Sequence, residues 1–167
     1  GVAELGDKLG PVNWQFMGFT KFDPADFEAF LALLPKQAQG LPLRHVVEVR
    51  HESFACAAFV ALARKYEVAV VLAADSEYPM IADVTAPFVY ARIMGTTEKA
   101  KSGYAPKDLD AWADRARLWA GGKAPNDLEV AGTGKPPAVD PGIDTGPFGR
   151  KSMAVTLLEA LGIARPA

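Results

Sequence analysis

The residues of this chain whose types and spacing suit chemistry are concentrated between residues 44 and 54, which hold both of its histidines. Within this stretch Glu48 and Arg50 stand two apart in a run rich in valine. Side chains two apart share one face of a strand, so Glu48 and Arg50 point one way while Val47 and Val49 point the other. Burying such a charged pair costs free energy unless its members satisfy each other or a ligand.

Two interpretations of this pair stay open. In the first, Glu48 and Arg50 form a structural ion pair that fixes the register of the sheet. In the second, Arg50 and Arg92, which lies in a later strand-like run, recognise an anionic group such as a phosphate or carboxylate through their planar donors. Glu48 would then orient an arginine or act as a general base.

Two further residues follow predicted strands directly. His51 suits acid/base catalysis or ligand binding, although its ring could instead bond a backbone carbonyl or cap the next helix. Asp75 has the position of a ligand carboxylate, or of a loop cap. His45, at the other end of its strand, is predicted to be a surface residue or to contribute to stability.

A metal site needs several ligands, and few residues beyond Glu52 and Glu77 could join His51 and Asp75 in one. We therefore predict no metal.

The elements that must position these residues follow from hydrophobic periodicity and from stop signals. Strands are predicted over residues 12–16, 45–50, 68–73 and 88–93. Helices are predicted over residues 24–34, capped by Asp23; 54–66, capped by Ser53; and 106–120. This alternation predicts the α/β class, with a parallel sheet and right-handed crossovers.

In open α/β sheets and in (β/α) barrels, the working site lies at the carboxyl ends of the strands. Polar side chains of the predicted strands meet there. The predicted ligand-binding residues are Gln15, Arg50, Tyr90 and Arg92. The predicted catalytic residues are Glu48, His51 and Asp75.

Composition limits the number of domains, the kinds of partner and the location that can be expected for this chain. The 167 residues, half of them hydrophobic, suffice for one domain. The net charge of -2 gives no general attraction to nucleic acid, and no apolar run is long enough to span a membrane. A single cysteine, Cys56, excludes an internal disulfide and predicts a reducing, cytoplasmic location.

The character of the chain changes after residue 122, where proline and glycine become frequent. We therefore divide it into residues 1–122, a strand-helix domain, and residues 123–167, a loop plus a carboxyl-terminal helix packed on the same domain. Within the second part, residues 128–130 are predicted to form a short strand and residues 151–162 a helix.

Several motifs together resemble the YecE-like family, also known as domain of unknown function 72. They are Leu9-Gly10-Pro11 with Trp14-Gln15-Phe16, residues 48–54, Ala74-Asp75, Tyr90-Ala91-Arg92 with Gly95, and Tyr104 with residues 109–113. The resemblance covers about residues 4–120. It implies part of a TIM-type barrel, with strands four to seven clear, the eighth doubtful and the earlier ones missing. Met94 departs from the family pattern, which has a histidine there.

Two functions are compatible with these motifs. The first is a barrel protein, of unestablished activity, that binds or transforms a small anionic metabolite (phosphorylated, sugar-like or carboxylated) at the strand ends. The alternative is a non-catalytic truncated barrel that acts through a protein partner or through self-association, as a homo-oligomer whose second copy covers open sheet edges. The motifs leave the reaction and any cofactor unspecified.

Overall fold

The computed structural model describes residues 1–95, 103–121 and 123–139. After a 3-10 helix over Val2–Lys8, the strands are β1 (Val12–Gln15), β2 (Gln37–Ala38), β3 (Leu41–Pro42), β4 (His45–Glu48), β5 (Ala69–Ala74) and β6 (Tyr90–Ile93). The α-helices are α1 (Pro24–Ala32), α2 (Ala57–Lys65) and α3 (Pro106–Ala120). A second 3-10 helix spans Glu52–Phe54.

Four of these strands form a parallel sheet in the order β1-β4-β5-β6. A helix lies between β1 and β4 and another between β4 and β5, whereas a loop without a helix joins β5 to β6. The parallel strands with their intervening helices confirm the α/β class. The arrangement is compatible with part of a TIM-type barrel. The strands β2 and β3 form a separate antiparallel pair, in a stretch for which the sequence predicted only a connector.

Helices cover one face of the sheet. α1 and α2 pack Phe27 and Phe59 against the valines Val47, Val49 and Val70, in the largest core cluster. α3 packs its tryptophans against the same face of β5 at the far end of the sheet. α1 begins as predicted: the Asp23 carboxylate accepts the backbone N–H groups of residues 25 and 26, and a proline occupies the first turn.

The opposite face of the sheet carries the polar residues. Its base is a small cluster that includes Val46, Ala69 and Val71. Nearer the carboxyl ends, the register pairs Gln15 with Glu48, and Ala73 with Arg92. Residues paired in this way share a face, so the predicted side chains of three strands stand on one surface.

The structure corrects two local predictions. Ser53 does not cap α2, which begins later; the chain first turns through Glu52–Phe54 because this turn buries Phe54. Residues 128–130 form no strand: the carbonyl oxygen of Glu129 accepts the N–H of Ala82, but the N–H of the next residue after the segment, Ala131, donates to the side chain of Asp83 and not to a strand. The helix predicted over residues 151–162 lies outside the described residues.

Candidate functional site

Glu48, the last residue of β4, lies at the centre of the polar surface with its side chain fully buried (0 % exposed). Its Oε1 accepts hydrogen bonds from Arg50 Nε at 3.2 Å and Arg50 Nη2 at 3.0 Å. Its Oε2 accepts from Asn13 Nδ2 at 3.1 Å and from Arg92 Nη1 in an ion pair. Side chains from three strands therefore converge on one carboxylate.

These contacts decide the protonation state of the carboxylate. Burial by itself would raise the pKa of Glu48, but hydrogen bonds from Asn13, Arg50 and Arg92 outweigh it and hold the pKa below the ordinary value. Lowering the pKa of a carboxyl group makes its carboxylate a weaker proton acceptor. Of the two roles open to it from the sequence, the geometry favours orienting the arginines.

The two arginines share this site, since they bind opposite oxygens of the same group. Their side chains reach solvent, Arg50 with 23 % and Arg92 with 38 % exposed. In the described part of the chain, no acceptor forms a hydrogen bond with Nη1 of Arg50 or with Nε and Nη2 of Arg92. Two guanidinium charges against one carboxylate leave one positive charge, with donors directed away from Glu48.

Tyr78 is a site residue that the sequence did not reveal. Its ring lies 4.5 Å from Cζ of Arg50, in a cation–π contact that fixes the plane of the guanidinium. The only available signal was an aromatic residue in the loop just after the carboxyl end of β5. Asn13, which shares a face with Gln15, was expected at the strand ends, but no binding or catalytic role was predicted for it.

The remaining predicted ligand-binding residues, Gln15 and Tyr90, lie on the same face but make no hydrogen bond to Glu48 in the described part of the chain. The side chain of Gln15 is exposed at the carboxyl end of β1. Tyr90 is half-buried and packs beside the small cluster at the base of this face. Both residues border the arginines without contributing to the hydrogen-bond network around the carboxylate.

Asp75 belongs to a second network, at the end of β5. Its Oδ2 accepts the hydroxyl of Tyr104 at 2.7 Å, and the same hydroxyl oxygen accepts the N–H of Gly95. A Cβ on Gly95 would stand 2.6 Å from Cβ of Asp75, so the loops after β5 and β6 approach too closely for any other residue. Burial, followed by the bond to Asp75, raises the pKa of Tyr104, which keeps this hydroxyl protonated.

The two histidines have different surroundings. The Nδ1 of His51 accepts the backbone N–H of Ser53 at 3.1 Å, so its ring caps the 3-10 turn. Its Nε2 has no partner among the described residues. His45 is buried: its Nδ1 accepts the indole N–H of Trp14, and its Nε2 lies 2.7 Å from the carbonyl oxygen of Pro35. Of the two roles predicted for His45, the structure therefore supports stability.

Across residues 1–95, 103–121 and 123–139, no three His, Cys, Asp or Glu side chains are grouped so as to hold a metal ion. Within those same ranges, no helix has the length and apolar character needed to cross a membrane.

Comparison with known proteins gives one match. A family model described as "Protein of unknown function DUF72" matches residues 1–131. That range contains every strand and helix described above and all of the residues around Glu48. No curated protein and no solved structure matches this chain.

Proposed function

The chain belongs to the DUF72, or YecE-like, family of TIM-type barrels of unknown function, and from this premise we propose that it binds a small anionic metabolite at the carboxyl ends of its strands. The observation that carries the proposal is the sharing of Glu48 by Arg50 and Arg92, which holds both guanidiniums in place with unused donors. Phosphorylated, sugar-like and carboxylated metabolites all carry a group that such donors recognise.

The net positive charge and the fixed positions of the two arginines both support the binding of an anion at this site. One positive charge remains after Glu48 is counted, and both arginine side chains reach solvent, so a ligand has access to them. Arginines already held by a carboxylate, and in one case by the ring of Tyr78, lose little conformational entropy when they bind.

The same strand ends hold the groups that we propose for any reaction at this site. His51 would act through Nε2, the nitrogen that its cap leaves unused. Asp75 stands at the end of the neighbouring strand, where Tyr104 orients its carboxylate. We assign Glu48 to positioning the arginines, since its lowered pKa disfavours proton transfer.

Arg92→Ala is expected to weaken binding of inorganic phosphate by about tenfold, because a charge-assisted hydrogen bond to an anion contributes about 1.5–3 kcal/mol. Arg50→Ala is expected to act in the same direction. Isothermal titration calorimetry measures both. The matched control is Arg115→Ala, which removes an arginine that is likewise paired with a carboxylate and stacked on an aromatic ring, but on α3. Folded Arg50 and Arg92 variants that bind phosphate as the wild type does would overturn the proposal.

We propose self-association as a second function, because of the edges of the sheet. In the described part of the chain, β1 and β6 each pair with one neighbouring strand only. An unpaired edge has free N–H and C=O groups that a second copy can bind. Gln15, whose exposed side chain ends β1, lies on one such edge.

If a second copy covers β1, light scattering coupled to size exclusion should give a dimer or larger species for the wild type. Gln15→Lys is expected to shift that population toward the monomer, since charge on an edge strand opposes pairing between strands. A wild type that elutes as a monomer at high protein concentration would remove this second function. The control is Lys36→Gln, which changes an exposed charge away from the parallel sheet.

A further inference from the structure

The loop after β1 carries an exposed apolar surface at the same end of the sheet as the anion site. Phe19 has 79 % of its surface exposed, and Met17 is also exposed. The two other phenylalanines of this loop, Phe16 and Phe22, pack against the core. Phe19 is thus a large apolar side chain that the described core does not use.

Hydrogen bonds fix this loop next to Arg50. The N–H of Phe16 donates to the carbonyl oxygen of Glu48, and the N–H of Phe22 donates to Ser53 Oγ, each at 2.8 Å. Glu48 and Ser53 lie on either side of Arg50 in the chain. Because Phe19 is three residues from each fixed end, its Cα lies within roughly 11 Å of both.

The loop after β5 carries a second apolar group. Its Tyr78 ring lies over the guanidinium of Arg50, and its Met80 side chain is exposed. The charge of the first loop also matches an anion, because residues 16–22 include Lys21 and no acidic residue. One aromatic ring therefore contacts Arg50 directly, and the loop that carries Phe19 and Lys21 is anchored to residues on both sides of Arg50 in the chain.

Resting on the proposed function, we propose that the natural ligand joins its anionic group to an apolar, ring-bearing group, with the anion on Arg50 and Arg92 and the ring against Phe19. Phosphate and carboxylate esters or acids of aromatic compounds form this class. When the ring of the ligand packs against Phe19, burial of apolar surface and aromatic stacking both add favourable binding free energy. An anion without a ring gains neither contribution.

The test compares inorganic phosphate with phenyl phosphate by calorimetry. Wild type is expected to bind phenyl phosphate about tenfold more tightly than inorganic phosphate. Phe19→Ser should remove most of that ratio while leaving the affinity for inorganic phosphate unchanged. Leu33→Ser is the matched control, because Leu33 is equally exposed (81 %) but lies at the end of α1. It should alter neither affinity.

The outcomes separate the two proposals. If phosphate binds and the ratio in wild type is near one, or if Phe19→Ser keeps the wild-type ratio, the ring-bearing ligand is wrong while the anion site stands. If neither anion binds, both proposals fail. Phe19-dependent binding to anionic phosphatidylglycerol vesicles, with no preference for phenyl phosphate, would make the loop a membrane contact and would also overturn the inference.

Discussion

Replacing Glu48 with glutamine is expected to lower the free energy of unfolding by about 3 kcal/mol. Glu48 is fully buried and accepts hydrogen bonds from Asn13, Arg50 and Arg92. The amide keeps the shape but leaves two guanidiniums without a counter-charge and turns one acceptor into a donor facing donors. Removing one partner of a buried ion pair costs about 3–5 kcal/mol, and we expect the lower end because both arginines reach solvent.

Urea unfolding measures this effect as a lower midpoint at an unchanged slope. The matched control is Glu28→Gln, since Glu28 also pairs with a cation, Lys65, but on the surface. Surface pairs contribute about 0–1 kcal/mol, so the control should unfold nearly as the wild type does. Equal losses in the two variants would mean that the convergence on Glu48 contributes nothing special to stability.

The pH dependence of stability provides a second measurement on the same variant. Because the folded-state pKa of Glu48 is depressed below its ordinary value of 4.5, its contribution is present above that value and is lost as pH falls through the folded pKa. Wild type should therefore lose more stability than Glu48→Gln below about pH 4.5. Parallel curves for the two proteins in this range would contradict the lowered pKa.

Replacing Asp83 with alanine is expected to cost about 3 kcal/mol and to release the segment after α3. The Asp83 side chain is 1 % exposed and accepts the N–H groups of Ala131 at 2.6 Å and Gly132 at 3.1 Å. It also pairs with Arg64, which in turn donates to the carbonyl oxygen of Thr133. Alanine would leave these half-buried donors, one of them charged, without the buried carboxylate that accepts their hydrogen bonds.

Hydrogen exchange is the measurement that locates this effect. The amides of Ala131 and Gly132 should lose protection in Asp83→Ala while the amides of β5 keep theirs. Asp127→Ala, which removes an acid from an exposed pair with Arg115, should cost no more than about 1 kcal/mol. If Asp83→Ala does not fold, Asp83→Asn should still show the selective loss of protection. Unchanged protection in the folded variants would contradict the role of Asp83.

Much of the fold follows from local signals in the sequence. The runs of valine and alanine predict β4 and β5 to within a residue or two, because parallel strands buried on both faces need continuous apolar residues. Asp23 and the proline after it predict the start of α1, since both act on the backbone beside them. These elements depend on residues close in the chain.

The sequence predicted on which face of the sheet and at which ends of the strands the site lies, but not which side chains contact one another there. Period-two alternation placed Glu48 and Arg50 on one face, and the strand ends placed Arg92 near them. The partners themselves are 35 and 44 residues away from Glu48 for Asn13 and Arg92, and no local pattern specifies such contacts. For the same reason Tyr78, which lies in an irregular loop, was not identified.

The incorrect prediction for residues 128–130 has a related cause. Alternating polar and apolar residues there favour a strand, but the acceptor that holds the adjacent N–H groups is the side chain of Asp83, 48 residues from Ala131. A carboxylate that accepts two successive N–H groups substitutes for a neighbouring strand. Local propensity contains no information about such a substitute.

The shared carboxylate also limits how this protein can change over generations of mutation. A chain that loses Glu48 first carries two arginines without a counter-charge, and one that loses both arginines first carries a buried, uncompensated anion. Each intermediate is less stable than either the complete set or a fully apolar replacement. Glu48, Arg50 and Arg92 are therefore expected to be inherited or lost as a unit, so that a relative retaining only one of them should also carry compensating substitutions around it.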